Sequence, residues 1–132
     1  MTQINPILVL TAPGELVDKI TILEIKTERI QDAGKLKNVR LELETLAAAR
    51  DQALAPSPEL ATLTAELKRM NEALWDIEDQ IRDCERREDF GPEFIRLARA
   101  VYHSNDRRAA VKRQINERLG SALIEEKSYA AY

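Results

Sequence analysis

The stretch from Leu60 to Cys84 constrains the fold more than any other part of the chain. Its apolar residues are Leu60, Leu63, Leu67, Met70, Leu74, Ile77, Ile81 and Cys84, in alternating steps of three and four, which draws one stripe down a helix with a repeat of seven. A strand cannot produce that spacing. Held over this length, a 3.5-residue repeat under-winds a helix and requires a partner helix crossing at a shallow left-handed angle.

The partners are announced by three helix starts written in one grammar: Ala12-Pro13-Gly14-Glu15, Ser57-Pro58-Glu59 and Gly91-Pro92-Glu93. Each puts proline in the first turn, where a missing N–H does no harm, and a carboxylate beside the positive end of the helix dipole. With Gly34 read as a left-handed helix end and Pro56 and Pro58 as stops, the spacing predicts helices near 13–32, 35–54, 58–88 and 92–119. Short loops favour antiparallel neighbours. The expected fold is all-α: an antiparallel up-down four-helix bundle built from two helical hairpins, the second longer. One helical domain spans residues 1–132, with an extended N-terminal segment (1–11) and a C-terminal tail (121–132). Leu67, Leu74, Ile77, Ile81, Val101 and Ile115 are expected in its core. At about 1.5 Å per residue the second hairpin reaches ~45 Å and the first only ~30 Å, so the second overhangs. The apolar N-terminal segment, the tail or a second subunit must cover the excess.

A net charge of −3 gives no general attraction to nucleic acid or to an anionic membrane surface. No apolar run approaches the roughly 20 residues of a membrane helix. The single cysteine, Cys84, falls on the core stripe as a small hydrophobe, which suits a reducing cytoplasm. Charge is sorted between the two long helices: residues 58–90 hold ten acids and five bases, and residues 91–119 three acids and seven bases. Mutual attraction of these helices is the expected consequence.

Chemistry has few places to sit. Glu72, Asp76, Asp79 and Asp83 form an acidic ladder that could hold Mg²⁺ against a phosphate, but the heptad count places it on a solvated face, and neither a metal site nor a cofactor is implied. His103 lies among Arg96, Arg99, Arg107, Arg108, Lys112 and Arg113, a setting that suits an anionic ligand or pairing with the acidic third helix. The last helix is more informative. Its stripe runs Phe94, Leu97, Val101 and resumes at Val111, Ile115, Leu119, leaving Ser104 or Asn105, and Arg108, where hydrophobes are due. Antiparallel counting from the turn near Phe90 sets Asn105 against Leu74 and Arg108 against Met70, with Asn71 alongside. A buried arginine needs a partner, so Arg108 is expected to contact a carboxylate of the first helix (Glu15, Asp18 or Glu24), and Asn105 to bond across to the third helix. Trp75 lies off the stripe and calls for cover by a helix, the tail or a partner.

Four segments carry a family resemblance: Gly14 to Lys26 (GELVDKITILEIK), Asn71 to Asp79 (NEALWDIED), Ala98 to Tyr102 with Asn105 to Ala109 (ARAVY, NDRRA), and Glu125 to Tyr129 (EEKSY). The chain resembles a bacterial family of small helical proteins catalogued only as a domain of unknown function, so the resemblance transfers no functional residues. In size and in its first helix it is also similar to small helical chorismate mutases, and could offer Lys19, Lys26, Arg29 and Arg108. No residue-by-residue match supports that analogy. The expected function is a non-catalytic binding or assembly module, homodimeric through the overhanging hairpin or joined to a protein partner. The competing reading is a small anionic-ligand (phosphate, carboxylate or sugar-nucleotide) binding protein or enzyme, its site lined by Glu15, Asp18 and Lys19 from the first helix and Tyr102, Asn105 and Arg108 from the last.

Overall fold

The computed structural model describes residues 4–132 and consists of four helices in chain order: α1 (Pro13–Arg29), α2 (Ala33–Ala53), α3 (Pro58–Arg86) and α4 (Pro92–Arg118). The boundaries follow local chemistry. Pro13, Pro58 and Pro92 each open a helix, with Glu15, Glu59 and Glu93 in the first turns. The Ser57 side chain accepts the Leu60 N–H at 3.1 Å, and that of Asp32 accepts the Lys35 N–H at 2.8 Å, so each satisfies a donor that the first helical turn leaves without a partner. Asp32 corrects one expectation. Gly34 does not end α1 in a left-handed turn but lies inside the first turn of α2, because Asp32 caps α2 from that position. The left-handed ends belong to α3 and α4: Glu88 (φ 54) and Gly120 (φ 65) adopt that conformation. The Asp89 and Ser121 N–H groups return to the carbonyls of Cys84 and Asn116 at 2.9 Å, the Schellman pattern.

The two hairpins are α1–α2 and α3–α4, and α1 packs on both α3 and α4. Val17, Leu63, Leu67, Val111 and Ile115 form the buried centre, with the partly buried Leu54, Leu60 and Met70 packed against it. α2 touches α1 alone, and of its residues only Val39 is buried. The working core is therefore a three-helix junction of α1, α3 and α4, with α2 as an outer layer.

The overhang follows from length. α3 has 29 residues and α1 has 17, a difference of about 18 Å at 1.5 Å per residue. Beyond the reach of α1 the α3–α4 hairpin packs only on itself. Cys84 and Leu97 are sealed there, but Ile77, Ile81 and Val101, expected in the core, are only half-buried because no third helix covers them. Leu67, Leu74 and Ile115 are buried. Phe90 and Phe94 meet edge to face at the hairpin tip, centroids 5.2 Å apart.

The described part of the extended N-terminal segment, residues 4–11, does not cover the overhang. It has no regular structure, and Ile7, Leu8, Val9 and Leu10 stand 78–92% exposed; residues 1–3 of that segment lie outside the described residues. The tail does dock, as a strap without helix or strand running back along α4. Trp75 is half-buried and sheltered by α1, with the Arg29 guanidinium 5.8 Å above its ring. No helix is long and apolar enough to cross a membrane among the described residues.

Candidate functional site

The polar layer lies where α1 crosses α3 and α4. Gly14 makes the crossing possible: a β-carbon on it would come within 2.5 Å of the Lys112 carbonyl oxygen and 2.9 Å of Asn116 Oδ1. Its N–H donates to that same Asn116 oxygen at 2.7 Å, so α4 caps the first turn of α1. One turn along α1, the buried Asp18 carboxylate accepts from Asn71 Nδ2 at 2.9 Å. The same Asn71 nitrogen reaches Thr21 Oγ1 at 3.0 Å. The Asn71 carbonyl oxygen accepts from Arg108 Nη1 at 3.2 Å, and Arg108 Nε stands 3.8 Å from Asp18 Oδ2. Each of the three helices thus contributes to one closed circuit.

Lys112 is the more deeply buried cation. Its side chain is 8% exposed, against 29% for Arg108. Its ammonium donates to Glu15 Oε2 at 2.6 Å and to Glu125 Oε2 of the strap at 2.9 Å, with Asp18 Oδ2 at 4.0 Å. Burial is the largest influence on Lys112 and disfavours its charge. The hydrogen bonds it donates to Glu15 and Glu125 and the charges of Glu15 and Asp18 outweigh it, so the pKa is raised above the ordinary 10.5. Glu125 moves the opposite way, below its ordinary 4.5, chiefly through the hydrogen bond from Lys112. Every buried side-chain nitrogen and oxygen among the described residues has a partner.

Of the six residues singled out from sequence, Glu15, Asp18 and Arg108 enter this network. Tyr102 and Asn105 line the adjoining groove of about 250 Å³ with Arg108, Lys112, Lys127 and Tyr129. Lys19 does not join them and is exposed. Asn105 makes no hydrogen bond to α3 among the described residues; Arg108 takes that place, because its longer side chain reaches Asn71 from the same face of α4. Nor do the four bases suggested by analogy converge. Arg29 pairs with Asp76 at 2.5 Å, and only Lys26 shares a groove with Arg108, on the far side of the layer with Ile22 and Trp75.

Asn116 is not singled out from sequence, Lys112 enters there only among the bases around His103, and Thr21 and Glu125 only within motifs. Lys112 could have been found as the residue one turn beyond Arg108 on the interrupted stripe. For Glu125 the signal lies in unspent charge. No ion pair joins α3 to α4 among the described residues. The acids of α3 pair with α1 or within α3, while the bases of α4 turn to α1, the strap and their own helix. Two acids of the ladder are engaged in such pairs, Asp76 with Arg29 and Asp83 with Arg86 and Arg87.

A family model described as "Family of unknown function (DUF6165)" matches residues 8–132. The chain belongs to this family. The matched span contains all four helices, the polar layer and the strap, and it begins inside the exposed apolar segment, so the site is built wholly from family sequence. No curated protein and no solved structure matches the chain.

Proposed function

We propose that this family member is a non-catalytic binding or assembly module of the cytoplasm, in which the polar layer sets helix register and the apolar surface outside the bundle meets a partner, in the first place a second copy. The observation that carries this reading is a contrast. The layer completes its own hydrogen bonds without a substrate, which is how buried polar networks specify a unique packing. Outside it, four consecutive apolar residues, Ile7 to Leu10, lie in water beside no element of the fold, and contiguous exposed apolar surface marks interaction sites. Ile95 at 55% and Phe90 at 52% exposure add to that surface on the overhang. Sedimentation at micromolar concentration tests the reading. A dimer is expected, weakened by Leu8→Asp or Ile95→Glu, both at exposed positions. A chain monomeric at all accessible concentrations overturns self-assembly.

A second reading, a small anionic ligand beside Arg108, is supported by the groove that brings Tyr102, Asn105, Arg108 and Lys112 together. Against it, both cations already face carboxylates of the chain. Thermal shift with inorganic phosphate, simple carboxylates and sugar nucleotides discriminates, since a ligand at 100 times its dissociation constant stabilises by about 2.7 kcal/mol. Absence of any shift removes this reading.

A further inference from the structure

The strap is attached to the bundle like a bound peptide. From Glu125 onward its side-chain hydrogen bonds are all with α4: Glu125 accepts from Lys112 at 2.9 Å and Glu126 from Arg113 at 3.2 Å, while Lys127 donates to Asp106 at 3.4 Å and the Tyr132 hydroxyl to Asp106 at 2.5 Å. The Tyr132 ring lies 5.3 Å from that of Tyr102 and 4.6 Å from that of His103. The start of the strap, Glu125 and Glu126, lies at Lys112 and Arg113 and its end, Tyr132, at Asp106 and Tyr102, so the segment runs antiparallel to the helix overall. Between the anchors lies a trough of about 620 Å³ with Ala109 and Ala110 beneath and Ala130 and Ala131 alongside.

Two properties make this attachment exchangeable. The strap side chains Glu125, Glu126 and Lys127 are 34–70% exposed, and exposed ion pairs hold weakly. The chain leaves α4 through the left-handed Gly120, so the strap can swing away without unwinding a helix. The seat it leaves is chemically selective. Lys112, buried and short of one carboxylate, demands an acid at that point, and the basic face of α4 favours a second acid beside Arg113.

We propose that this face of α4 is a receptor groove for an extended acidic-aromatic strand, and that a second copy supplies that strand by reciprocal exchange of residues 121–132. Each Lys112 is then completed by Glu125 of the other copy. Exchange needs no new complementarity, because every contact made within one chain reforms between two. The inference rests on the assembly reading and adds to its exposed apolar surface a second join between the copies, the strap groove.

Charge reversal in full-length chains tests it. One variant carries Asp106→Arg and Arg113→Glu on the receptor helix; the other carries Glu126→Arg and Lys127→Glu on the strap. Alone, each mismatches its own strap and groove, whereas mixed and exchanged they restore matched pairs on both sides. Sedimentation should find a heterodimer in the mixture that neither variant forms alone, with circular dichroism confirming that both fold. A mixture that behaves as the sum of its parts overturns the exchange. If the unmodified chain still dimerises in that event, assembly survives through another surface; if nothing associates, both readings fail. Should a variant not fold, a labelled peptide of residues 121–132 is titrated into the unmodified chain and into full-length Glu125→Lys/Glu126→Lys. It should bind the weakened-strap chain about tenfold more tightly. Equal binding, or none, overturns the receptor groove.

Discussion

The backbone N–H of Gly14 donates to the side-chain oxygen of Asn116 across 102 residues of sequence, at 2.7 Å and away from solvent. The first turn of α1 is thereby capped by the last turns of α4, and the two helices meet at backbone distance. Gly14→Ala tests how firmly. Alanine is a better helix former by about 1 kcal/mol, but its methyl would strike the Lys112 carbonyl, a backbone atom that cannot swing aside. A net loss of about 1–3 kcal/mol is expected in urea unfolding, and a neutral or stabilising result would contradict the close crossing.

Asp18 and Arg108 of the layer should differ in consequence. Asp18 is buried and faces Asn71, Arg108 and Lys112, so Asp18→Ala leaves two cations and an amide short of a partner and should cost about 3–5 kcal/mol. Arg108 reaches solvent, and Asp18 keeps Asn71 when it is gone. Arg108→Met should therefore cost no more than about 1 kcal/mol. Equal losses measured by denaturant titration would mean that the layer does not run through Asp18.

Along the heptad stripe of α3 the cost of truncation should fall toward the overhang. Leu67 is fully buried among α1 and α4, and Leu67→Ala should cost about 2–5 kcal/mol. Ile81 is half-buried on a bare hairpin, and Ile81→Ala should cost less than half as much in the monomer. Amide exchange should show the same gradient, protected near Leu67 and faster above Ile77.

Glu88 occupies a left-handed position at the end of α3, a conformation that costs a residue with a β-carbon roughly 1 kcal/mol. Glu88→Gly should raise stability by about 0.5–1 kcal/mol, read as an increased melting temperature. A decrease would show that the side chain matters more than the backbone there.

Strap docking has an acid limit and an alkaline one. Glu125 lies below its ordinary 4.5 through Lys112, and Asp106 below 3.8 through Tyr132 and then Lys127. Their contribution is present above those values and lost as pH falls through the lowered pKa values. Tyr132 is raised above 10.0 by donating to Asp106, so its contribution is present below 10.0 and lost as pH rises through the raised pKa. The Tyr132 ring resonances should hold a docked shift across neutral pH and lose it on both sides. Glu125→Gln should leave the alkaline loss unchanged and confine the acid one to the lower range of Asp106.

The heptad stripe from Leu60 to Cys84, the three proline starts and the break in the α4 stripe near Arg108 are legible in the sequence, because helix period, end chemistry and burial preference act over a few neighbouring residues. From them follow four helices, two antiparallel hairpins and an overhang, all of which the structure contains. What the tertiary structure alone decided concerns residues brought together from distant parts of the chain. Asp18 is chosen over Glu24, Arg108 takes the bond expected of Asn105, Lys112 sits deeper than Arg108, and Glu125 arrives from the strap. A periodic pattern specifies which face of a helix turns inward, but not its axial position against a neighbour or the reach of a side chain across the gap. Those depend on close approaches such as that of Gly14 to α4, where the absence of one methyl group sets the height at which every other pair must meet.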